Sequence, residues 1–336
     1  MDATPRQLVR QTLEFAGPAR VPRQLWLLPW ASLHYPDEVA ALQRRFPDDI
    51  VSCPSFLATS PAMQGDRHGG GTHVDEWGCT FVGLQAGIIG QVKAPLVSDW
   101  SHLERVRLPL ECLSVDVAQV NAFCRGSDRF VLGGCCPRPF ERLQFLRGSE
   151  NLFMDLARRP AELEELVRRV HGFYVREFEL WAGTDVDGLM MMDDWGAQRT
   201  MLIAPALWRR LFKPLYAEYC DIARRHGKYI FMHTDGYVLD ILPDLVELGV
   251  HAVNCQVACM GIRTLGERFR GRITFWGEMD RQHLLPRGTP EDVALAVREM
   301  QAQLWSRGGV IAQCEFGPGA RPENVRAVFE TWEQAL

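Results

Sequence analysis

Short apolar runs alternate with amphipathic segments along most of this chain, and this alternation restricts the possible folds more than any other feature. The clearest unit is Lys228–Gln256, in which the apolar run Tyr229–Met232 ends at His233 and a helical pattern follows. Strands separated by helices form parallel sheets. From about residue 115 the pattern is regular, with strands predicted at 130–135, 188–192, 229–232, 250–253, 273–276 and 309–313.

The N-terminal part begins in the same way and then changes character. Residues 60–78 are polar and rich in glycine, and residues 79–98 have the pattern of a β-hairpin or small extension. The acids and histidines of the glycine-rich loop make it a conceivable site, but its glycines favour a solvated turn. Before the loop, we predict helices at 5–15 and 36–46 and strands at 21–28 and 49–52.

The elements amount to roughly seven or eight strand–helix units, and no linker or change of composition divides them. We therefore predict an α/β protein with a single (β/α)8 barrel over residues 1–336. A doubly wound open sheet is the alternative. It is disfavoured because the first turn has no GxGxxG sequence of the kind that binds dinucleotides.

Composition excludes several classes of function. A formal net charge of -5 is not that of a nucleic-acid-binding protein. No apolar run approaches the roughly 18 residues that a membrane span needs, and charges interrupt the N-terminus where a signal peptide would be apolar. The ten cysteines include no CxxC pair, so we expect reduced thiols in the cytoplasm.

Polar side chains stand at the ends of five predicted strands, and a barrel would bring them into one ring where catalysis takes place. Histidine, cysteine and carboxylates are zinc ligands, and a catalytic zinc keeps one position open. His233 and Asp235 can face one point from their turn, and Cys314 would arrive from the final strand. Alternatively, Cys314 packs as a small apolar residue and the carboxylates cap helices. The full set is Asp193, Asp194, His233, Asp235, Cys255, Glu278, Cys314 and Glu315.

Tryptophans stand beside several of the same strand ends. The chain contains ten, a high number, and their positions favour a deep pocket with aromatic walls over a flat binding surface. We predict that Trp30, Trp195 and Trp276 contact the substrate in this pocket.

An ordered series of short motifs covers nearly the whole chain. Their order and spacing resemble the uroporphyrinogen decarboxylase superfamily, in particular its methyltransferase branch. The resemblance implies a (β/α)8 barrel, in agreement with the independent count of elements. The motifs are Val74–Gly78, Phe140–Leu143, Asp193–Gly196, His233–Gly236, Gly277–Asp280 and Arg321–Val325.

The same resemblance implies a zinc site. The methyltransferase relatives bind zinc through a His-x-Cys turn and a cysteine near the C-terminus, and His233 and Cys314 match the first and last of these ligands. Asp235 replaces the middle cysteine, and an oxygen ligand makes zinc a harder Lewis acid than a thiolate does. Cys314 also lies one residue further from the following proline than the family spacing predicts, so Glu315 is an alternative ligand at this position. The further ligand candidates are Glu315, Glu278 and Cys255.

The function implied is that of a cytoplasmic zinc-dependent methyltransferase, which moves a methyl group between a small methylated donor and the cobalt of a separate corrinoid protein. Asp193 or Asp194 would orient the substrate or relay a proton. An aryl methyl ether suits an aromatic pocket, and a methylamine or a methyl thioether is an alternative methyl donor. The sequence also leaves open whether the protein forms a homodimer. The alternatives are a metal-independent decarboxylase of a smaller carboxylic acid and a non-catalytic barrel that binds a corrinoid or tetrapyrrole.

We expect the purified protein not to convert uroporphyrinogen to coproporphyrinogen. The decarboxylases resembled here have an arginine-rich N-terminal motif, whereas the matching residues 22–30 contain one arginine, Arg23. Several substrate carboxylates would then be buried without cationic partners, which is costly. Chromatography of the tetrapyrroles after an anaerobic incubation checks this, and measurable coproporphyrinogen would contradict it.

Overall fold

The computed structural model describes residues 3–334, and its centre is a sheet of eight parallel strands. A separate antiparallel sheet of three strands, β3 to β5, is inserted between β2 and β6. The strands are β1 (Arg23–Leu27), β2 (Ile50–Ser52), β3 (Gly71–Val74), β4 (Thr80–Gly83), β5 (Gln91–Ala94), β6 (Phe130–Leu132), β7 (Gly188–Met192), β8 (Tyr229–Thr234), β9 (Ala252–Cys255), β10 (Thr274–Trp276) and β11 (Val310–Phe316).

Helices connect the parallel strands and cover their outer face. Many begin with proline in the first turn, where its missing N–H costs nothing and its fixed φ suits the helix. The helices are α1 (Pro5–Leu13), α2 (Pro29–His34), α3 (Pro36–Arg45), α4 (Val117–Gly126), α5 (Pro139–Arg147), α6 (Ser149–Arg158), α7 (Ala161–Ala182), α8 (Pro205–Leu211), α9 (Lys213–Arg225), α10 (Leu242–Leu248), α11 (Val257–Met260), α12 (Ile262–Phe269), α13 (Leu284–Arg287), α14 (Pro290–Leu304) and α15 (Pro322–Glu333).

The parallel strands follow the order β1-β11-β10-β9-β8-β7-β6-β2, so the first two strands of the chain occupy the two edges. These edges approach each other. The Asp49 N–H donates to the Arg23 carbonyl at 2.9 Å, and the Leu25 N–H donates to the Asp48 carboxylate at 2.7 Å. The sheet is therefore a nearly closed barrel, and the predicted (β/α)8 fold is confirmed.

Side chains along each barrel strand alternate between the interior and the helices. In β8, Phe231 belongs to the interior cluster, whereas Ile230 and Met232 pack in the outer core. Ile311 in β11 is likewise interior, and Cys314 is outer. This alternation decides which of two consecutive residues at a strand end reaches the mouth of the barrel.

Several predicted boundaries differ from the observed ones. Strand β8 continues to Thr234 and β11 to Phe316, which places His233, Cys314 and Glu315 inside strands. The helix predicted at 205–226 is two helices, α8 and α9, because the second restarts with a proline in its first turn. No helix within residues 3–334 is sufficiently long and apolar to traverse a bilayer.

The glycine-rich loop, predicted as a solvated turn, is largely exposed over residues 60–72, and its end is buried at His73, Asp75 and Trp77. Its end forms β3, and the Asp75 side chain accepts hydrogen bonds from the N–H groups of Trp77 and Cys79. Arg142 on α5 binds Asp75 at 2.5 Å and Glu76 at 3.1 Å. The predicted extension at 79–98 contributes β4 and β5. An ion pair with a distant helix thus holds a segment whose composition favours exposure.

We expect the substitution Phe231→Ala to lower the free energy of unfolding by about 3–5 kcal/mol, because it leaves a cavity in the barrel interior. The Phe231 ring is fully buried, with centroids 5.5 Å from Phe130 and 5.1 Å from Trp276. Denaturant unfolding measures the change. Leu295→Ala is the control, since Leu295 is 61% exposed and should change stability by less than about 0.5 kcal/mol. Equal stability of the two variants would contradict a close-packed interior.

Candidate functional site

Three ligand-competent side chains meet at the carboxyl ends of β7 and β8. The Asp194 Oδ1 atom is 3.5 Å from His233 Nε2, and Asp235 Oδ1 is 3.8 Å from the same nitrogen. One ligand atom from each residue lies within 4.8 Å of the other two, and no other group of three in residues 3–334 meets this condition. We call Asp194, His233 and Asp235 the His–Asp cluster.

The ring of His233 is oriented by Asn254 on the neighbouring strand β9. His233 Nδ1 lies 2.6 Å from Asn254 Oδ1, while Asn254 Nδ2 donates to the Trp276 carbonyl at 2.5 Å. Because the amide nitrogen is committed to that carbonyl, Oδ1 accepts and the imidazole carries its proton on Nδ1. In the neutral ring, Nε2 then keeps its lone pair directed at the two carboxylates. Such an outer partner is typical of metal-binding histidines.

Asp235 presents one carboxylate oxygen to the cluster. Its Oδ2 atom pairs with Arg281, whereas Oδ1 is buried and has no hydrogen-bond partner. The Asp235 N–H donates to Asp194 Oδ1 at 3.0 Å, which fixes the distance between the two acids. A buried oxygen without a partner costs free energy unless a cation or proton meets it. The imidazole nitrogen and two carboxylate oxygens therefore fit a divalent metal ion such as zinc.

Burial and mutual charge shift the pKa values of these groups. Burial disfavours the imidazolium of His233, but the contact with Asp194 and the charge of Asp235 outweigh it and raise its pKa to about 9. For Asp194, burial opposes the charged form, and the interactions with His233 prevail and lower the pKa. Burial raises the pKa of Glu278 to about 8 although Arg281 opposes the shift. The metal-free site therefore holds a proton on His233 at neutral pH.

The two consecutive acids after β7 take opposite directions. Asp194 faces the cluster, whereas Asp193 is fully buried and accepts hydrogen bonds from the N–H groups of Phe140 and Glu141 at the start of α5. The Tyr216 hydroxyl also donates to Asp193 at 2.5 Å. Burial, followed by the charge of Glu141, raises the pKa of Asp193 well above its usual range. Asp193 thus positions a helix.

The two cysteines predicted as ligands lie on the outer face of the barrel sheet. Cys314 and Cys255 are both fully buried in the outer core, where they pack against helices. Burial raises the pKa of the Cys314 thiol well above its ordinary value. The alternation of β11 instead brings the next residue, Glu315, to the inner side, where it meets Arg281 at 3.0 Å. The structure does not bring either thiol into the His–Asp cluster.

The three predicted substrate-contacting tryptophans occupy separate places. Trp30 stacks on His34 at 4.2 Å, and Trp195 is fully buried against Phe140 at 4.1 Å. Trp276 is fully buried in the barrel interior. None of the three is among the residues of the cluster or of the cavity next to it.

A different tryptophan, Trp26, covers one side of the cluster. Its ring lies 5.3 Å from that of His233 and 5.0 Å from that of Trp276. The two indole N–H groups donate to the Oε1 atom of Gln24, at 3.1 Å from Trp26 and 3.0 Å from Trp276. The sequence signal for Trp26 is its parity: in β1 it stands two residues after the inward-facing Gln24, so both side chains point to the interior.

Arg281 is the other functional candidate that sequence reasoning missed. It lies in the loop after β10 and pairs with Asp235, Glu278 and Glu315. A lone arginine in a loop has no distinctive spacing, but a cluster of strand-end acids requires a nearby cation to offset mutual repulsion. Searching the neighbouring loops for that cation would have identified it.

A polar cavity of about 600 Å³ adjoins the cluster on the far side of Arg281. Loops after β7, β9 and β10 line it, and its volume lies within the range for small-molecule sites. Its walls combine polar and charged side chains with Ala258, Cys259 and Met279, and no tryptophan is among the lining residues. The principal polar lining residues are Gln198, Arg199, Gln256, Arg281, Gln282 and His283.

Comparison with known proteins identifies the family. The family model described as uroporphyrinogen decarboxylase (URO-D) matches residues 75–335. The chain belongs to this family. Among curated proteins, none matches the sequence.

Two solved structures are similar to this chain at low sequence identity. A methyltransferase from Methanosarcina mazei superposes with a TM-score of 0.66 and 15% identity over 99% of both chains. A glycosylated endo-β-1,4-xylanase from Gloeophyllum trabeum reaches a TM-score of 0.44 with 12% identity over 96% of this chain and 98% of that one. At 15% identity the likeness to the methyltransferase concerns the fold alone.

We expect His233 in the metal-free protein to titrate with a pKa of about 9. Because this value exceeds the unfolded value of about 6.5, the interaction stabilises the fold fully below that lower pH and is lost as the pH rises through the folded pKa. NMR of histidine-labelled protein measures the titration, with His233→Gln to assign the signal. Asp194→Asn should lower the pKa, and an ordinary value in the unsubstituted protein would contradict the electrostatic coupling.

Proposed function

We propose that this protein is a zinc-dependent methyltransferase that moves a methyl group between a small methylated molecule and a corrinoid held by a second protein. The His–Asp cluster at the mouth of the barrel is the observation that carries the proposal. Membership of the uroporphyrinogen decarboxylase family and the fold shared with the methyltransferase from Methanosarcina mazei support the reaction class.

His233 would hold the metal through Nε2, and Asp194 and Asp235 through one oxygen each. When bound there, zinc supplies Lewis acidity to the heteroatom that carries the methyl group. Two oxygen ligands and one nitrogen keep the ion hard, which suits an ether or alcohol oxygen better than a thiol. Asp194 is the most exposed of the three side chains, at 40%.

The surrounding residues prepare the site before the substrate arrives. Asn254 fixes the tautomer of His233, and the ring of Trp26 shields one face of the imidazole from water. Asp193, proposed from the sequence as a catalytic acid or orienting group, acts here as a positioning residue, since its hydrogen bonds go to α5 and Tyr216. The adjacent polar cavity supplies space for the remainder of the methylated molecule.

The corrinoid is assigned to a partner protein for a structural reason. Within residues 3–334 every strand belongs either to the barrel or to the small antiparallel sheet, so that range contains no second α/β domain to carry such a cofactor. The partner would have to approach the carboxyl face of the barrel, because the His–Asp cluster opens there.

We expect roughly one zinc per chain after purification without chelators. His233→Ala and Asp235→Ala should each remove most of it, because each deletes one of three ligands while the barrel core stays intact. Elemental analysis by mass spectrometry measures the metal, and circular dichroism verifies folding.

Two variants serve as controls for that experiment. His171→Ala should retain zinc, because His171 bonds to Tyr219 and Glu218 on the helical surface. Cys314→Ala should also retain it, because the thiol faces outward, and loss of zinc there would return Cys314 to the ligand set. If the unsubstituted protein neither contains metal nor gains zinc on incubation, this proposal fails and a metal-independent decarboxylase or a binding protein replaces it.

A further inference from the structure

The guanidinium group of Arg281 lies between three carboxylates from separate segments of the barrel mouth. Its Nε atom is 2.8 Å from Glu278 Oε1, and Nη1 donates to Glu315 Oε1 at 3.0 Å. Its Nη2 atom pairs with Asp235 Oδ2. Each nitrogen therefore faces one oxygen of a different acid, and the contact with Glu278 is an ion pair without hydrogen-bond geometry.

The mouth of the barrel offers more ligands than a catalytic metal uses. Besides His233, four carboxylates are available, those of Asp194, Asp235, Glu278 and Glu315. A catalytic zinc takes about three protein ligands and keeps a position open for water or substrate. A divalent cation attracts any free carboxylate nearby, so something must keep the additional acids away from it.

We propose that Arg281 keeps Glu278 and Glu315 out of the coordination sphere, so that the metal retains three protein ligands and an open position. This role rests on the function proposed above. Arg281 holds only Oδ2 of Asp235 and leaves Oδ1 facing His233. The cluster is thus already assembled with Arg281 in place, and metal binding does not require Arg281 to leave.

Glu278 is the residue that this arrangement chiefly restrains. Its side chain is 4% exposed, and its second oxygen, Oε2, is buried without a hydrogen-bond partner. Removing Arg281 would leave the whole carboxylate unpaired beside a cation. Binding that cation would relieve the desolvation cost, and Glu278 would then occupy the position that the substrate needs.

Cobalt(II) in place of zinc makes the open position measurable, because its visible absorption depends on coordination number and geometry. We expect azide to bind the cobalt form of the unsubstituted protein and shift this spectrum. In Arg281→Met the azide affinity should fall about 10- to 100-fold, the range typical when an outer partner of a metal ligand is lost. The double variant Arg281→Met/Glu278→Gln should recover azide binding, since the amide no longer competes as an anionic ligand.

Arg209→Met is the matched control, because Arg209 pairs with Asp244 away from the cluster and its loss should leave azide binding unchanged. Unchanged azide affinity in Arg281→Met would overturn the proposal. So would failure to recover in both the double variant and the triple variant Arg281→Met/Glu278→Gln/Glu315→Gln, because the defect would then come from a displaced Asp235. If Arg281→Met does not fold, Arg281→Gln replaces it, because an uncharged side chain also removes the ion pairs, and unchanged azide affinity there also overturns the proposal. A protein that binds neither cobalt nor zinc would instead refute the proposed function itself.

Discussion

The alternation of side chains in a closed parallel sheet is the constraint on which the rest of the molecule depends. Each strand residue faces either the barrel interior or the helices, so neighbours in sequence lie on opposite faces of the sheet. Asp193 positions a helix while Asp194 reaches the His–Asp cluster. Cys314 packs in the outer core while Glu315 meets Arg281. Which residues can take part in chemistry at the mouth therefore depends on the face to which their side chains point, as well as on residue type.

The sequence was sufficient to predict the barrel and all three residues of the cluster, His233 and Asp235 as metal ligands and Asp194 as a catalytic residue. These follow from periodicity and motif order, which are local properties. It could not decide between consecutive candidates, because a shift of one residue in the register of a strand reverses the face of every side chain. Strand β11 extends to Phe316, whereas the apolar pattern in the sequence ends at residue 313 and does not indicate the last three residues of the strand.

Long-range charge pairing was also beyond the reach of sequence reasoning. Asp75 is buried because Arg142, 67 residues later, meets it, although its own surroundings are polar and rich in glycine. Arg281 similarly gathers acids from three segments. Tryptophans near strand ends are ambiguous for a related reason: a large aromatic ring fills the core as readily as it lines a cavity, and Trp195 and Trp276 are fully buried.

The first turn of α5 joins two parts of the protein that are far apart in sequence. Arg142 in that turn pairs with Asp75 and Glu76 beside the small sheet, and the N–H groups of Phe140 and Glu141 bind Asp193, the residue next to Asp194. This helical turn therefore connects the small sheet by direct contacts to the residue next to Asp194. Changes in the length of the insertion between β2 and β6 would therefore be expected to alter the geometry of the His–Asp cluster without substitution of any of its three side chains.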